Sequence, residues 1–336
     1  MICVYGAGSI GCYVGGRLAA TGADVAFVGR PRLAAETALH GLTLTDLHGA
    51  DLCVPQPRYE TEPDAVAALV AEADLVLVTV KSAATAEAGE ALARDLKPGA
   101  AVVSLQNGLR NANALRAKLP DVTVLAGMVG FNVVYFGEGR FHCGTDGGLE
   151  VQDDPALDAH AAAFAQAGLP LARHADLTGV QAAKLLLNLN NAVDALSGLP
   201  LKAELSQRAF RRCLALAQRE ALAAYRAAGI NPAKTAGVNS RLLPVLMGLP
   251  DAVFTRAAAK MLAMDPHARS STQDDLMAGR LTEVDYLNGA IVALAAEHGL
   301  TAPVNDRLTA LVHAAESGGR RDWTGPELLA ELRRSA

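Results

Sequence analysis

A glycine-rich loop near the start of the chain has the spacing of a phosphate-binding turn. Residues 6–11 read Gly-Ala-Gly-Ser-Ile-Gly, directly after an apolar run and before a helical pattern. The first glycine permits a tight turn, the second lets the backbone approach a diphosphate, and the third allows close helix–strand packing. The first amides of the following helix would face the phosphates. We therefore predict a dinucleotide site formed by Gly6, Ala7, Gly8, Ser9, Ile10 and Gly11. The alternative is a turn that holds no ligand.

The end of the second apolar run bears on the choice between NAD and NADP. Binders of NAD usually carry Asp or Glu there, which bonds the ribose 2′-hydroxyl. This chain reads Phe-Val-Gly-Arg-Pro-Arg at 27–32, and no carboxylate is present. A guanidinium can pair with a 2′-phosphate through two hydrogen bonds. We predict NADP(H) as the cofactor, held by Arg30 with Arg32 as a helper; the alternative is two solvated loop arginines.

Two later strand ends carry further polar side chains. Lys81 follows the apolar run 75–80, and Asn107 follows the run 101–105. Ligands of open α/β sheets bind outside the carboxyl ends of the strands. Lys81 could neutralise a cofactor phosphate or approach the ribose. Asn107 carries both a donor and an acceptor, which suits contact with the nicotinamide ribose and with a substrate.

The second half of the chain carries a lysine and two asparagines at helical spacing. Lys184, Asn188 and Asn191 lie at i, i+4 and i+7, which places them on one helix face. The opposite face carries Leu185, Leu186, Leu189, Val193 and Leu196. Polar groups in such a helix need partners. The pattern fits a functional stripe, an exposed polar stripe, or hydrogen bonds between helices.

A second polar cluster follows about 80 residues later. Ser271 lies in a run of serines, and Thr282, Glu283 and Asp285 precede an apolar helical pattern. Thr282 with Asp285 predicts a capping box at the start of a helix. That role does not account for Glu283 or Ser271, which remain candidates for a site.

Apolar runs alternate with helical patterns in the first half, which favours a parallel, doubly wound α/β sheet. Residues 64–72, 83–96 and 110–118 are predicted helices. Alternating apolar residues at 41–60 predict a hairpin around His48 and Gly49. The glycine-rich stretch 121–151 predicts short strands that extend the edge of the sheet.

From Thr178 onward the periodicity is almost entirely helical. We therefore predict a Rossmann-like NADP-binding domain over residues 1–176 and a mostly α-helical substrate and catalytic domain over residues 177–336. No internal repeat or low-complexity linker is apparent.

Composition narrows the function classes. The 336 residues include 51% hydrophobic and 19% charged side chains and carry a formal net charge of −5, which indicates a globular chain without a nucleic-acid footprint. The pair Arg211–Arg212 is read as a solvated helix face. Five cysteines without CxxC spacing and scattered histidines suggest no metal site or disulfide framework. No apolar run approaches the ~18–20 residues that cross a bilayer. With the first strand at Ile2 there is no room for a signal peptide, so we expect no membrane association and a cytoplasmic protein.

These motifs, in this order along nearly the whole chain, resemble the ketopantoate reductase (2-dehydropantoate 2-reductase) family. The matching segments are the loop at 6–11, Val-Lys-Ser at 80–82, Leu-Gln-Asn-Gly at 105–108, Lys-Leu-Leu-Leu-Asn at 184–188, and Ser271 with residues 282–289. The last two segments are much more specific than the glycine loop.

The resemblance implies reduction of a small 2-keto acid, 2-dehydropantoate, by NADPH in pantothenate biosynthesis. It implies that Lys184 donates the proton and that Asn188 and Ser271 hold the substrate. Glu283 would lie near the nicotinamide ribose and the reacting hydroxyl. Asn107 would bridge cofactor and substrate, and Lys81 would touch the cofactor.

The chain departs from the family at two places. A second family asparagine, eight residues after the lysine, is Ala192 here, and we expect Asn191 to substitute for it on the same helix face. A family asparagine further on has no clear counterpart in Leu-Pro-Leu-Lys at 199–202. Both changes fall where the tail of the substrate is expected, so they bear on the substrate rather than on the chemistry.

Three alternatives stay open: a paralogue that reduces another branched 2-keto acid, another two-domain dehydrogenase, and a non-catalytic NADP sensor that binds a partner protein. The sensor would need neither Lys184 nor Glu283. A monomer and a homodimer are both compatible with the sequence.

Overall fold

A computed structural model describes residues 1–235, 237–259, 262 and 268–335. The chain forms two compact units, Met1–Leu177 and Thr178–Ala336. Each unit is treated below by itself.

The first unit alternates strands with helices. Its strands are β1 (Ile2–Tyr5), β2 (Val25–Val28), β3 (Leu42–Asp46), β4 (Asp51–Val54), β5 (Arg58–Glu60), β6 (Leu75–Val78), β7 (Ala101–Ser104), β8 (Thr123–Val129), β9 (Val133–Tyr135), β10 (Arg140–Cys143), β11 (Leu149–Gln152) and β12 (Leu171–His174). Its helices are α1 (Ser9–Ala20), α2 (Pro31–His40), α3 (Pro63–Glu72), α4 (Thr85–Asp95), α5 (Asn111–Lys118) and α6 (Asp158–Gln166). The three helices predicted over 64–72, 83–96 and 110–118 are thereby confirmed as α3, α4 and α5.

The main sheet of this fully described unit has eight strands in the order β12-β11-β8-β7-β6-β1-β2-β5. The strands from β8 through β7, β6, β1 and β2 to β5 pair in parallel, whereas β11 pairs antiparallel with β8. The central position of β1 and the crossovers between neighbouring strands give the doubly wound α/β architecture that the alternating pattern predicts.

Both faces of this sheet are buried, because alternate residues of each strand enter different cores. One core contains Ile2, Val4, Phe27, Leu77 and Val103 together with residues of α1 and Phe164 of α6. The other contains Cys3, Ala26, Val28, Val76 and Val102 together with residues of α3, α4 and α5. Helices cover both faces, which explains why the strands read as unbroken apolar runs in the sequence.

A second sheet has four strands in the order β4-β3-β10-β9 within the same unit. The predicted hairpin at 41–60 is confirmed, since β3 and β4 pair antiparallel. The prediction for 121–151 is right for β8 and β11, which lie in the main sheet, and wrong for β9 and β10. Strand β10 pairs with β3 instead, because Phe141 and Cys143 join Leu42 and Leu44 in the core beside α1.

The second unit is helical, as its periodicity predicts. The helices within its described residues are α7 (Thr178–Asn188), α8 (Asn190–Ser197), α9 (Leu201–Leu205), α10 (Arg208–Ala227), α11 (Leu243–Met247), α12 (Asp251–Ala257), α13 (Ser271–Met277), α14 (Val284–Glu297), α15 (Pro303–Glu316) and α16 (Gly325–Ser335). No helix among the described residues is both long and apolar enough to cross a membrane.

The interpretation of Arg211 as part of a solvated face is wrong. Its side chain is 0% exposed, and its guanidinium donates to the carbonyls of Leu205, Met247 and Leu249 and to the carboxylate of Asp251. It also lies 4.0 Å from the ring centroid of Phe254. The five donors of a guanidinium can bond several carbonyls and a carboxylate at once. Through these bonds the buried Arg211 joins α10 to the segment around 247–254.

Candidate active site

The three glycines of the loop at 6–11 meet different surroundings. Gly6 has φ +102°, and a Cβ there would overlap the backbone of Val80. A Cβ on Gly11 would lie 2.6 Å from Thr79 Oγ1 and 2.9 Å from Val4 Cγ1. A Cβ on Gly8 would meet only the carbonyl oxygen of Gly6, at 3.9 Å. Gly6 and Gly11 are therefore needed for the packing of the loop, whereas Gly8 leaves open space above the backbone.

The loop leads directly into α1 and is held from two sides. Gly8 precedes the helix and provides no side-chain cap for the first amides of α1, which include those of Ser9 and Ile10. Thr79 Oγ1 donates to the carbonyl of Gly6 at 2.8 Å, and Tyr59 Oη donates to that of Ala7 at 3.2 Å. These bonds fix the loop from neighbouring strand ends.

The two arginines after β2 lie in different surroundings. Burial raises the pKa of Tyr59, and the nearby charge of Arg30 opposes that rise. Because the Tyr59 hydroxyl donates to the carbonyl of Ala7, Arg30 lies on the side of the glycine loop. Arg32 instead acts on Glu36, whose pKa is lowered mainly by a hydrogen bond from Tyr135. The structure therefore places Arg30 near Tyr59, which contacts the glycine loop, and Arg32 near Glu36.

Lys81 and Asn107 follow strands β6 and β7, and a buried polar network joins the two loops. Gln106 Nε2 donates to the carbonyl of Val80 at 3.0 Å and to Thr85 Oγ1 at 2.7 Å. Asn111 Nδ2 donates to Ser82 Oγ at 3.0 Å and to the carbonyl of Asn107 at 2.6 Å. Sequence reasoning missed Thr85 and Asn111, which bond to each other across 26 positions and each bond to a further side chain 21 to 29 positions away.

The order of the sheet brings these positions to one edge. Strands β7, β6, β1 and β2 are consecutive and parallel, so their carboxyl ends lie side by side. Asn107, Lys81, the glycine loop and Arg30 follow these four strands in turn. This is the edge at which open α/β sheets bind ligands.

In the second unit, Lys184 lies on α7 and is only partly exposed. Burial lowers the pKa of Lys184 to about 8, and the negative charge of Glu283 opposes that lowering. The unit therefore brings together two groups separated by 99 positions in the sequence. An ammonium with a pKa near neutrality can give up a proton readily, which is what general acid chemistry requires.

The predicted single helix over 184–198 is divided at Leu189 into α7 and α8. Leu189 keeps helical dihedrals, with φ −59° and ψ −20°, so the division is slight. Asn188 and Asn191 are partly exposed like Lys184, while Leu185, Leu186, Leu189, Val193 and Leu196 are at most 1% exposed. The apolar face is confirmed, and the polar stripe remains accessible within this unit.

The predicted capping box at Thr282 and Asp285 is wrong. The residue that precedes α14 is Glu283, and Thr282 Oγ1 accepts from the amide of Val284 at 3.3 Å. The amide of Thr282 donates to Glu316 at 2.7 Å, and Asp285 pairs with His313 at 2.8 Å. Contacts from α15 thus hold the start of α14, and with it Glu283.

Ser271 is the first residue of α13 and is exposed. The preceding Ser270 caps the helix, since its Oγ accepts from the amide of Gln273 at 3.1 Å. Ser270 Oγ also lies 3.4 Å from the carbonyl of Asn191. The second unit therefore places Ser271 and Asn191 on adjoining segments.

Two buried carboxyl groups escaped sequence reasoning. Asp194 and Glu204 are 0% exposed, and burial raises their pKa values to about 7 and about 8. Asn190 Nδ2 donates to Glu204 Oε2 at 3.0 Å. The available signal was a pair of polar residues, Asn190 and Asp194, inside an otherwise apolar helix.

Comparison with known proteins assigns the chain to a family. The family model described as "Ketopantoate reductase PanE/ApbA" matches residues 2–155, and the model for the C-terminal part of the same family matches residues 176–316. This chain belongs to the ketopantoate reductase family. The resemblance stated from the sequence motifs is confirmed.

Relatives of the family cover nearly the whole chain. The 2-dehydropantoate 2-reductase of Halobacterium salinarum is 32% identical over 95% of this chain and 99% of its own length. A crystal structure of a ketopantoate reductase from Ralstonia eutropha is 32% identical, with a TM-score of 0.80 over 95% of this chain and 99% of that one. A D-mandelate dehydrogenase solved with NADH and anilino(oxo)acetate shares the fold at 19% identity, with a TM-score of 0.76 over 95% and 99% of the two chains.

Proposed function

We propose that this ketopantoate reductase family member uses NADPH to reduce 2-dehydropantoate to pantoate. The single observation that carries the proposal is the partly buried Lys184, with its pKa lowered to about 8 and Glu283 beside it. Family membership supports the reaction, since relatives that match 94–95% of this chain carry the name 2-dehydropantoate 2-reductase.

The residues of the first unit fit a nicotinamide dinucleotide. The open space above Gly8 and the uncapped start of α1 suit a diphosphate, because the backbone can approach it and the helix amides can donate to it. Arg30, exposed after β2, suits a 2′-phosphate, and no carboxylate at that strand end competes for a 2′-hydroxyl. Lys81 and Asn107 follow at the same edge of the sheet. This donor set supports NADPH over NADH.

When bound, the reduced nicotinamide supplies the hydride that reaches C2 of the keto acid. The protein provides position, charge and a proton. As negative charge grows on the C2 oxygen, the ammonium of Lys184 stabilises it and then donates its proton to that oxygen. Glu283 keeps Lys184 protonated at neutral pH, because it opposes the lowering of the lysine pKa by burial.

Four polar side chains are proposed to hold the substrate. We assign the keto acid to Asn107, Asn188, Asn191 and Ser271, with Ser271 near its carboxylate. Asn107 and Glu283 also serve the cofactor in this proposal. Asn191 takes the place of the family asparagine that is absent at Ala192, and we assign it to the tail of the substrate.

The test is a panel of 2-keto acids assayed with NADPH and with NADH, following the absorbance of the reduced nicotinamide. The panel contains 2-dehydropantoate, unhydroxylated branched keto acids of similar size, and aromatic keto acids. We expect the highest kcat/KM for 2-dehydropantoate with NADPH. A higher value for another branched keto acid would favour a paralogous reductase, and tight NADPH binding without turnover of any panel member would favour an NADP sensor.

A further inference from the structure

A buried carboxyl group outside the proposed machinery joins α8 to the start of α13. Asp194 lies on α8 and is 0% exposed. Its Oδ2 accepts from the backbone amide of Ser270 at 3.0 Å, across 76 positions of the sequence. A buried backbone amide needs a partner, so this bond fixes where the segment before α13 meets α8.

Ser270 makes two further contacts at this meeting of α8 and the start of α13, which is called the joint below. Its Oγ accepts from the amide of Gln273 at 3.1 Å, which caps α13, and lies 3.4 Å from the carbonyl of Asn191. Gln273 Nε2 also donates to the carbonyl of Leu199, at 3.3 Å. The same small network thus includes the carbonyl of Asn191 and Ser270, the residue that precedes Ser271.

We propose that Asp194 is a positioning residue that sets the spacing of Asn191 and Ser271 and thereby the affinity for the keto acid. The inference deepens the proposed function and rests on it. Asp194 lies behind the accessible face of its helix and is not a catalytic residue. Its effect passes through the amide of Ser270.

An acceptor oxygen, rather than a negative charge, is what this joint requires. Burial raises the pKa of Asp194 to about 7, Asp274 adds to the rise, and Ser270 and Arg269 oppose it. Asp194 in turn raises the pKa of Glu204. Among the described residues Asp194 Oδ1 has no hydrogen-bond partner, so it can carry the proton while Oδ2 continues to accept from Ser270. The joint therefore persists on both sides of pH 7.

The test compares three variants of the full-length protein. Asp194→Asn keeps an acceptor oxygen, whereas Asp194→Leu has a similar volume and removes it. Asn288→Leu is the matched control, because Asn288 is also 0% exposed and its side chain donates to Asn305 of α15, and not to α8 or α13 within the described residues. Steady-state KM and kcat are measured on the keto acid that the parent reduces fastest in the panel, together with the NADPH Kd and the Tm.

For Asp194→Leu we expect KM for the keto acid to rise about tenfold or more, as the loss of a buried hydrogen bond to a carboxyl group predicts. The kcat and the NADPH Kd should stay within about threefold of the parent, and Asp194→Asn should restore KM. Asn288→Leu should lower Tm without changing KM. If Asp194→Leu does not fold, Asp194→Ala takes its place, because it removes the same acceptor of the Ser270 amide with a smaller side chain, and the same direction of change in KM is expected.

The inference is overturned by a folded Asp194→Leu with parental KM, by a parental KM in Asp194→Ala where that variant is the one used, or by an Asp194→Asn whose KM rises as much as that of Asp194→Leu. Failure of the proposed function looks different, since the parent would then prefer a keto acid other than 2-dehydropantoate. The comparison of variants applies to whichever keto acid is preferred.

Discussion

The two units build their candidate sites from different materials. At the sheet edge of the first unit, backbone groups dominate: the loop at 6–11 depends on glycines and on the amides of α1. In the second unit, side chains dominate, with Lys184, Glu283 and two buried carboxyl groups on separate helices. A backbone site is encoded in a few adjacent residues, whereas a side-chain site is completed only when distant helices pack. The backbone site can therefore be found from a sequence motif, whereas the pKa values in the side-chain site depend on burial and on neighbouring charges.

The largest effect should come from the side-chain site. Lys184→Ala removes the proposed proton donor, so kcat should fall about 10²–10⁴-fold while NADPH binds within about threefold of the parent. Lys234→Ala is the matched control, because this lysine of the same unit is exposed and lies outside the segments assigned to the substrate. Stopped-flow and steady-state kinetics with NADPH titrations measure both quantities. Near-normal turnover would remove Lys184 from the reaction.

In the glycine loop of the first unit, one substitution should weaken NADPH binding and another should lower stability. Gly8→Ala places its Cβ in open space, so Tm should stay parental while the Kd for NADPH rises about tenfold or more through the loss of diphosphate contacts. Gly11→Ala places its Cβ 2.6 Å from Thr79 Oγ1, so it should lower Tm. Calorimetry and fluorescence titration give both readouts. A parental Kd in Gly8→Ala would mean that the loop is a turn without a ligand.

A smaller effect should distinguish the two arginines after β2. Arg30→Ala should lower the preference for NADPH over NADH about tenfold, since a guanidinium bound to a phosphate contributes through charged hydrogen bonds. Arg32→Ala should change this preference less than threefold, as this arginine acts on Glu36 instead. The measurement is kcat/KM for both cofactors. Equal losses in the two variants would contradict the placement of Arg30.

The last prediction concerns stability in the second unit, and not binding or turnover. The folded-state pKa of Glu204 is raised from 4.5 to about 8, so its stabilising contribution is complete below pH 4.5 and lost as the pH rises towards 8. Glu204→Gln should therefore be more stable than the parent at pH 8, on the order of 4 kcal/mol, or roughly 10 °C in Tm. The difference should vanish near pH 4.5.

The control for this variant is Glu90→Gln, an exposed carboxyl group of the first unit. Its Tm should follow the parent at both pH values. Thermal unfolding followed by circular dichroism at pH 4.5 and pH 8 compares the three proteins. A Glu204→Gln variant that is less stable than the parent at pH 8 would show that Glu204 is buried as a carboxylate.

Sequence patterns predict the parts of the fold that depend on local chemistry. The loop at 6–11, the hairpin formed by β3 and β4, and the helices α3 to α5 follow from glycine placement and hydrophobic periodicity. Strand β10 was assigned to the wrong sheet because the choice of partner depends on packing against Leu42 and Leu44, about 100 positions earlier. Hydrophobic periodicity indicates which face of a strand is buried, but it does not indicate which strand pairs with it.

The same limit applies to polar side chains. Arg211 lies in a basic pair and reads as solvated, yet its partners are carbonyls and a carboxylate as many as 40 positions away. Thr282 and Asp285 fit a local capping rule, yet Glu316 and His313 of α15 bind them instead. Motif spacing identified Lys184 and Glu283 as candidates, whereas Asp194 and Glu204 emerge only when burial is known.

In our proposal Lys184 donates the proton, and Glu283 opposes the lowering of the lysine pKa by burial. The pH dependence of kcat/KM for the keto acid tests this role most directly, because kcat/KM reports the ionisation of the enzyme before the keto acid binds. The parent and Glu283→Gln are compared at saturating NADPH. We expect kcat/KM to fall above about pH 8, and the fall to begin at a lower pH in Glu283→Gln, because the charge that favours the ammonium is gone. A kcat/KM that stays level through pH 10, or a fall that moves to higher pH in Glu283→Gln, would contradict the role of Lys184.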